Sequence, residues 1–317
     1  MQDLAGGVGD RKRPNETLTV GKTVWQLAER PRVVGVINVT PDSFSDGGLF
    51  LDVQAAIERG VELVAEGADA LDIGGESTRP SGRVYGVGQR EVPARDELAR
   101  VLPVIRGLRR RLGVPLSIDT RKAEVAEGAL DAGADWVNDV SGGTFDPGML
   151  ALCARRGVPV VLMHTRGTPE TMQTLTDYAE VGSDVATELA VRTAAAVEAG
   201  VAMERIVVDP GLGFAKTAAQ SLELLDDFSA VWALGYPVMI GASRKSFLTW
   251  REEDGSAGRR AEAEGRSIQS SVPPRERVAQ SVAAAVVAAR AGAALLRVHD
   301  VAETVRALSV LAATGAC

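Results

Sequence analysis

Residues 33–48 read VVGVINVTPDSFSDGG, a short apolar run that breaks at Asn38 into a polar loop with neither helix nor strand period. The same event recurs down the chain. ALDIGGEST stops at Asp72, LSIDT at Asp119, WVNDVSGG at Asn138 and Asp139, and VVLMHT at His164. IVVDPGLGF stops at Asp209, VMIGASRK at Ser243 to Lys245, and LLRVHD at Arg297 to Asp300. Each run is continuous in Val, Ile and Leu rather than alternating, the pattern of a parallel strand buried on both faces. One polar strand end is ordinary. Eight in register describe a site built along one rim of a sheet.

Strands are therefore predicted near 33–38, 69–73, 115–119, 135–139, 158–163, 205–209, 237–241 and 294–298. Between them lie amphipathic stretches such as VQAAIERGVELVAEG (53–67) and ARDELARVLPVIRGLRRRLG (94–113), suited to helices. Gly67, Gly113, Gly133, Gly157, Gly200, Gly235 and Gly292 precede strands, at the position where a helix ends in a left-handed turn. Such βα units admit an open doubly wound sheet or a closed barrel. No G-x-G-x-x-G turn follows the first strand. An α/β chain of this kind is expected to form an eight-stranded (β/α)8 TIM barrel, with its chemistry where the strands end. The expected organisation is an N-terminal tail and lead-in over residues 1–30 and a single barrel over 31–317, with a loop inserted at about 250–276. That insertion is charged and rich in Gly and Ser, and its composition predicts a mobile, protease-sensitive surface segment.

Composition narrows the function. With 317 residues, 45% of them hydrophobic, the chain can bury one large core. It carries 35 basic and 42 acidic residues, a net charge of -7, which argues against a nucleic-acid or membrane-surface partner. Any basic cluster is then local and aimed at a small anion. Two cysteines, Cys153 and Cys317, offer neither a disulfide framework nor metal spacing. The first fifteen residues lack an apolar signal core, and the longest apolar stretch, Val282 to Ala289, is far too short to span a bilayer. A cytoplasmic protein is expected.

The rim gathers carboxylates (Asp72, Asp119, Asp209), amides (Asn38, Asn138), cations (Arg79, Arg244, Lys245, Arg297) and both histidines, His164 and His299. No H-E-x-x-H, paired cysteines, G-x-S-x-G elbow or Walker A loop is present. The cations suggest a phosphate or carboxylate ligand, with Asn38 as an oxygen ligand for Mg²⁺.

Together, VVGVINVTPDSFSDGG, LDIGGESTRPSG, LSIDTRKAEV, WVNDVSGG, VVLMHTRGTPETMQ, VVDPGLGFAKT, IGASRKSFL and RVHDV resemble the dihydropteroate synthases, over roughly residues 32–249 and 275–312. The resemblance implies a barrel that condenses 6-hydroxymethyl-7,8-dihydropterin diphosphate with p-aminobenzoate in folate biosynthesis, using Mg²⁺. Asp119, Lys245, Arg297 and His299 are then the expected catalytic residues. Asp119, Asn138, Met163, Asp209, Phe214 and Lys245 would bind the pterin. Asn38, Thr78, Arg297 and His299 would bind the diphosphate, with Asn38 also on the metal. Asp42, Phe44, Thr78, Arg79, Pro80 and Ser246 would form the p-aminobenzoate pocket, for which sulfonamides compete. A carboxylate such as Asp209 suits a pterin edge of adjacent N–H donors, which it accepts with two parallel charge-assisted bonds. His164 has a weaker case, orienting loops through its ring nitrogens, and Asp72 is expected behind the site rather than in it.

The sequence also departs from the family pattern. Ala215 replaces a frequent Gly, Gln220-Ser221 stands where His-Asn is common, and Thr249 follows SRKSFL where Gly is frequent. A pterin-binding methyltransferase barrel, the nearest rival, would need neither the TPDSFSDGG loop nor the Arg297–His299 pair. Finally, RVAQSVAAAVVAARA (277–291) has no charge from Ser281 to Ala289. A helix in the outer ring should show water a polar stripe. Its absence predicts a homodimer, with Ala284 or Ala288 facing the partner.

Overall fold

The computed structural model describes residues 16–39, 48–76, 91–249 and 272–315. A hairpin comes first, β1 (Thr17–Val20) and β2 (Thr23–Gln26). The eight apolar runs then form β3 (Arg32–Asn38), β4 (Ala70–Gly74), β5 (Leu116–Asp119), β6 (Trp136–Asp139), β7 (Val160–Met163), β8 (Ile206–Asp209), β9 (Met239–Ile240) and β10 (Leu295–Val298). These eight are parallel neighbours in the order β8-β7-β6-β5-β4-β3-β10-β9. The circle closes through a parallel bridge between Val208 and Val238, where Val208 N donates to Pro237 O at 3.0 Å. The (β/α)8 TIM barrel expected from the sequence is the fold observed.

Helices return the chain between strands: α1 (Gly48–Ala65), α2 (Ala94–Arg111), α3 (Ala123–Ala132), α4 (Met149–Arg156), α5 (Val181–Glu198), α6 (Ala218–Asp226), the short α7 (Ser229–Trp232), α8 (Val278–Arg290) and α9 (Val301–Ala313). Gly133 and Gly157 end α3 and α4 in the left-handed conformation, as the sequence suggests. Gly113 does not: α2 ends on Leu112 in an extended conformation, so no left-handed residue is required there.

Side-chain parity places the site. Leu71, Ile73, Leu116, Ile118, Val137, Val160, Leu162, Ile206 and Val208 pack outward with the helices in the larger core. Their alternates Val34, Ala70, Trp136, Val161, Val207, Met239 and Leu295 fill the lower interior of the barrel. Two residues further along five of these strands, the same inward parity reaches Asp72, Asn138, Met163, Asp209 and Arg297. Asp119 is likewise inward, two past the buried Ser117. One apolar layer thus supports a polar one at the C-terminal mouth, where barrels of this kind do their chemistry.

The hairpin seals the other end, and the sequence reading placed no strand there. Leu18, Val20, Trp25 and Leu27 join the lower interior cluster, with Trp25 edge-on to Trp136 at 6.0 Å between ring centroids. Of the insertion, residues 250–271 lie outside the described residues. Pro274–Glu276 is a single 3-10 turn leading into α8.

Candidate functional site

Arg297, near the end of β10, spans the barrel mouth. Its Nε donates to Asp72 Oδ2 at 2.6 Å and its Nη2 to Asp119 Oδ2 at 2.7 Å. Asn138 Nδ2 donates to the same Asp72 oxygen at 2.9 Å. Asp72 is therefore a hub of the polar layer, and it holds Arg297 and Asn138 in fixed orientations. Two acceptors here are buried without a hydrogen-bond partner, Asn138 Oδ1 and Asp72 Oδ1. Buried polar atoms are rarely left so, and Asn138 Oδ1 is a ready acceptor for a ligand N–H. Burial pushes the Asp119 carboxyl up to about 7, against the pull of Arg297, and the negative charge of Asp72 adds to the rise. Burial opposes the charge of Arg297 too, but Asp72 and Asp119 outweigh it and raise its pKa.

Asp209 ends β8 on the facing wall, 4% exposed. Its Oδ1 accepts from Gly211 N at 2.7 Å. Burial raises its pKa, while the charge of Lys245, the Gly211 N–H, Arg297 and Lys216 work in the opposite direction. Lys245 Nζ donates to Leu212 O at 2.5 Å and lies 4.6 Å from the centroid of the Phe214 ring. Met163 is buried beside Gly211. Gly211 itself has φ +68, and a Cβ there would lie 1.9 Å from His164 O, so only glycine fits. Of the pterin residues expected from the sequence, Asn138, Asp209 and Asp119 reach one mouth; Phe214 lies on the turn after Asp209, and Lys245, from the segment after β9, reaches that turn at Leu212 O.

The remaining expected residues divide. His299 Nδ1 and Ser243 Oγ are 3.0 Å apart, and Ser243 Oγ also accepts from His299 N. Arg244, at φ 60, pairs with Asp300, its Nε 3.1 Å from Oδ2. Half-buried Ser246 opens a 3-10 turn directly after Lys245. Asn38 closes β3, opposite Gly74. Asp42, Phe44, Thr78, Arg79 and Pro80 lie outside the described residues. Glu76, just before Thr78, is nonetheless fixed: it accepts from Lys122 Nζ at 2.7 Å, Arg121 Nη2 at 3.3 Å and Val92 N at 3.1 Å. Lys122 also reaches the fully buried Glu97 at 2.8 Å.

Among the described residues no cluster of three His, Cys, Asp or Glu side chains suited to a metal is found. Asn38 is a single neutral oxygen donor, and Asp72 and Asp119 are bonded to Arg297. That set fits Mg²⁺ held chiefly by substrate phosphates and water, the usual habit of this ion.

Behind the rim lies a network that the sequence reading missed. His164 is fully buried, its Nε2 3.0 Å from Glu188 Oε2 and its Nδ1 2.8 Å from Lys216 Nζ. Glu188 also accepts from Arg166 Nε at 2.9 Å, and Arg166 stacks on Tyr178 at 3.8 Å. Glu188 sits in α5 and Lys216 past a Gly-rich turn, so neither ends a strand. The motifs VVLMHTRGTPETMQ, with His164 and Arg166, and VVDPGLGFAKT, with Lys216, marked the region, but nothing in the sequence singled out Glu188 or Lys216 as partners of His164. Gln220 and Ser221, departures from the family pattern, are also occupied here. Gln220 completes a capping box with Thr217 at the start of α6, and Ser221 Oγ accepts from Gly213 N at 3.0 Å.

The structure thus is an eight-stranded barrel with a buried polar layer at its C-terminal mouth, the class of scaffold that carries its chemistry at that end. The family model for pterin binding enzymes matches residues 34–299, and the chain belongs to that family. Its relatives narrow the family further. The dihydropteroate synthase of Synechocystis sp. is 43% identical over 90% of this chain and 90% of its own length. The Xanthomonas albilineans dihydropteroate synthase solved with 4-aminobenzoic acid superposes with a TM-score of 0.80, at 44% identity, covering 96% of this chain and 99% of that one. The Yersinia pestis dihydropteroate synthase solved with a sulfonamide drug gives a TM-score of 0.80 at 38% identity, over 95% of this chain and 100% of that one.

Proposed function

We propose that this chain is the transferase that joins 6-hydroxymethyl-7,8-dihydropterin diphosphate to p-aminobenzoate, giving 7,8-dihydropteroate and pyrophosphate for folate biosynthesis in the cytoplasm. The observation that carries the reading is the polar layer: Asp209 and the unpartnered Asn138 Oδ1 face one mouth as acceptors, with Lys245 beside them. A pterin edge offers adjacent N–H donors to such acceptors, and a carboxylate takes them with charge-assisted bonds. Phe214 and Met163 supply apolar contact for the ring.

In the reaction the bond between the pterin methylene carbon and the diphosphate oxygen breaks. The p-aminobenzoate nitrogen bonds to that carbon and loses a proton. Ionised Asp119 would stabilise the positive charge that grows on the pterin as the diphosphate leaves. Arg297, oriented by Asp72, and His299, oriented by Ser243, would bind the departing diphosphate. Mg²⁺ held by Asn38 would neutralise phosphate charge. Asp42, Phe44, Thr78, Arg79, Pro80 and Ser246 are assigned to p-aminobenzoate, and sulfonamides should compete there. The clamp on Glu76 fixes where the chain enters the segment bearing Thr78 to Pro80.

Purified protein mixed with both substrates and Mg²⁺ should yield dihydropteroate, read by mass spectrometry. Binding of the pterin without product would overturn the assignment of the reaction. We further propose that the active form is a homodimer built on α8, an idea carried by the exposed Ala279, Ala283 and Val287 along that helix.

A further inference from the structure

The network behind the rim contains a lysine that the reaction above does not use. Lys216 is 3% exposed. Its Nζ lies 2.8 Å from His164 Nδ1, 3.1 Å from Phe214 O and 3.2 Å from Gly211 O. An ammonium has three N–H groups, and three acceptors meet this one. His164 accepts at Nδ1 because its Nε2–H is given to Glu188. Burial, with the charges of Lys216, Arg192 and Arg166, holds that ring neutral. Burial pulls Lys216 well below the ordinary lysine range, while the charge of Asp209 pulls it back. A neutral amine would leave one of the three acceptors without a donor, so the hydrogen-bond count selects the charged form.

The turn it holds is the wall of the proposed pterin pocket. Side chains take four of its carbonyls: Lys216 those of Gly211 and Phe214, Lys245 that of Leu212, and Tyr178 Oη that of Ala215 at 2.9 Å. Lys216 is the one that also ties the turn to β7 through His164. Three cations act on the Asp209 carboxylate: Lys245 from the segment after β9, Arg297 from β10, and Lys216 from the turn.

We propose that Lys216 is a positioning residue of the pterin site, whose ammonium fixes the Gly211–Phe214 turn against His164 and with it the Gly211 N–H that holds Asp209 in place to receive pterin N–H groups. The proposal rests on reading this mouth as a pterin pocket.

The test compares the parent with Lys216→Met, His164→Asn and His164→Leu in the full chain. Binding of 6-hydroxymethylpterin is measured by calorimetry from pH 5.5 to 9, with both KM values taken alongside. Lys216→Met should bind the pterin about tenfold more weakly or worse, as for a lost charged hydrogen bond. Its KM for p-aminobenzoate at saturating pterin diphosphate should stay within about twofold of the parent. The acidic limb of pterin binding should move to higher pH, because one of the positive charges acting on Asp209 is gone. A merely structural lysine would lower thermal stability and leave that limb in place, which overturns the proposal. Pterin affinity within about threefold of the parent overturns it as well. If Lys216→Met does not fold, the histidine pair decides. Asparagine places Oδ1 where Nδ1 was and should retain pterin binding within about threefold, whereas leucine removes the acceptor and should lose about tenfold. Equal effects of the two would refute the role of Lys216. A parent that binds no pterin at any pH would instead sink the reading of the pocket itself, and the proposal with it.

Discussion

Asp119 carries a conflict between folding and chemistry. Its carboxyl rises from 3.8 to about 7 in the fold, chiefly through burial, yet the charge stabilisation proposed for it at the pterin methylene requires the anion. Between those values the folded state holds a proton that the unfolded state has lost, so this residue's contribution to stability falls as pH rises from about 4 to about 7. Asp119→Asn should therefore raise the melting temperature more at pH 8 than at pH 5. The same change should cut kcat by about 10²–10³ and remove the acidic limb of the rate profile near pH 7, with a smaller effect on binding. A variant that changes only KM would make Asp119 a ground-state contact. Asp209 is the contrast. Asp209→Asn keeps the shape but turns an acceptor towards N–H donors into a donor, and pterin affinity should drop by about 2–4 kcal/mol, as for a buried group left badly paired. Calorimetry showing a dissociation constant within about threefold of the parent would refute that role. Ala215 is a third case, a non-glycine at φ 50 and fully buried. Ala215→Gly relieves left-handed strain at some cost in unfolded-state entropy and should stabilise the fold by up to about 1 kcal/mol in urea unfolding. A loss of stability would show that the methyl's packing outweighs the strain. Asp119, Asn138 and Asp209 were legible in the sequence because each ends an apolar run, and a strand end at a barrel mouth has one place to point. Lys216 and Glu188 were not, because a turn and a helix face bring them to the site and neither leaves a local pattern.

The same contrast holds for whole elements. Eight strands could be placed to within a few residues because parallel strands buried on both faces read as unbroken Val, Ile and Leu. β9 was the least regular, two residues where five were expected, and its closure with β8 rests on one bridge. The β1–β2 hairpin escaped the reading although its signal is present: Leu18 and Val20 alternate with threonines, and Gly21-Lys22 makes a two-residue turn at φ 59. The strands are four residues each and half polar, too short to stand out beside a charged tail. Their contribution is nonetheless large, since Trp25 is 4% exposed against Trp136 at the closed end of the barrel. Trp25→Ala should cost about 3–5 kcal/mol of unfolding free energy, as for a buried tryptophan truncated in a packed core. Both KM values should be unmoved, because the polar layer proposed to carry the chemistry lies at the opposite mouth. A shift in the KM for pterin without loss of stability would mean that the hairpin acts on the site rather than on the fold.

At the scale of the molecule, α8 poses a question of solvation. It was expected to bury Ala284 or Ala288 against a second subunit, but both face the barrel, 3% and 0% exposed. The helical period, with Ser281, Ala285 and Ala289 buried beside them, turns that face inward. The outward stripe is instead Ala279, Ala283 and Val287, and Val287 is 39% exposed. α9 packs against α8 and leaves the stripe exposed. No charge interrupts the stripe before Arg290. A two-fold contact between α8 helices would bury these small side chains with the backbones close together, and an isologous pair is the commonest assembly of soluble chains. Placing an arginine at Ala283 or Val287 would bury an unpaired charge in the proposed interface and should dissociate the proposed dimer. Ala284→Arg would instead break the barrel core and cost folding, so the two positions separate assembly from stability. Light scattering at micromolar concentration should give twice the chain mass of 33.2 kDa for the parent and the single mass for Ala283→Arg, with melting temperature little changed. A parent that scatters as a monomer, or an Ala283→Arg variant that remains dimeric, would remove α8 as the interface.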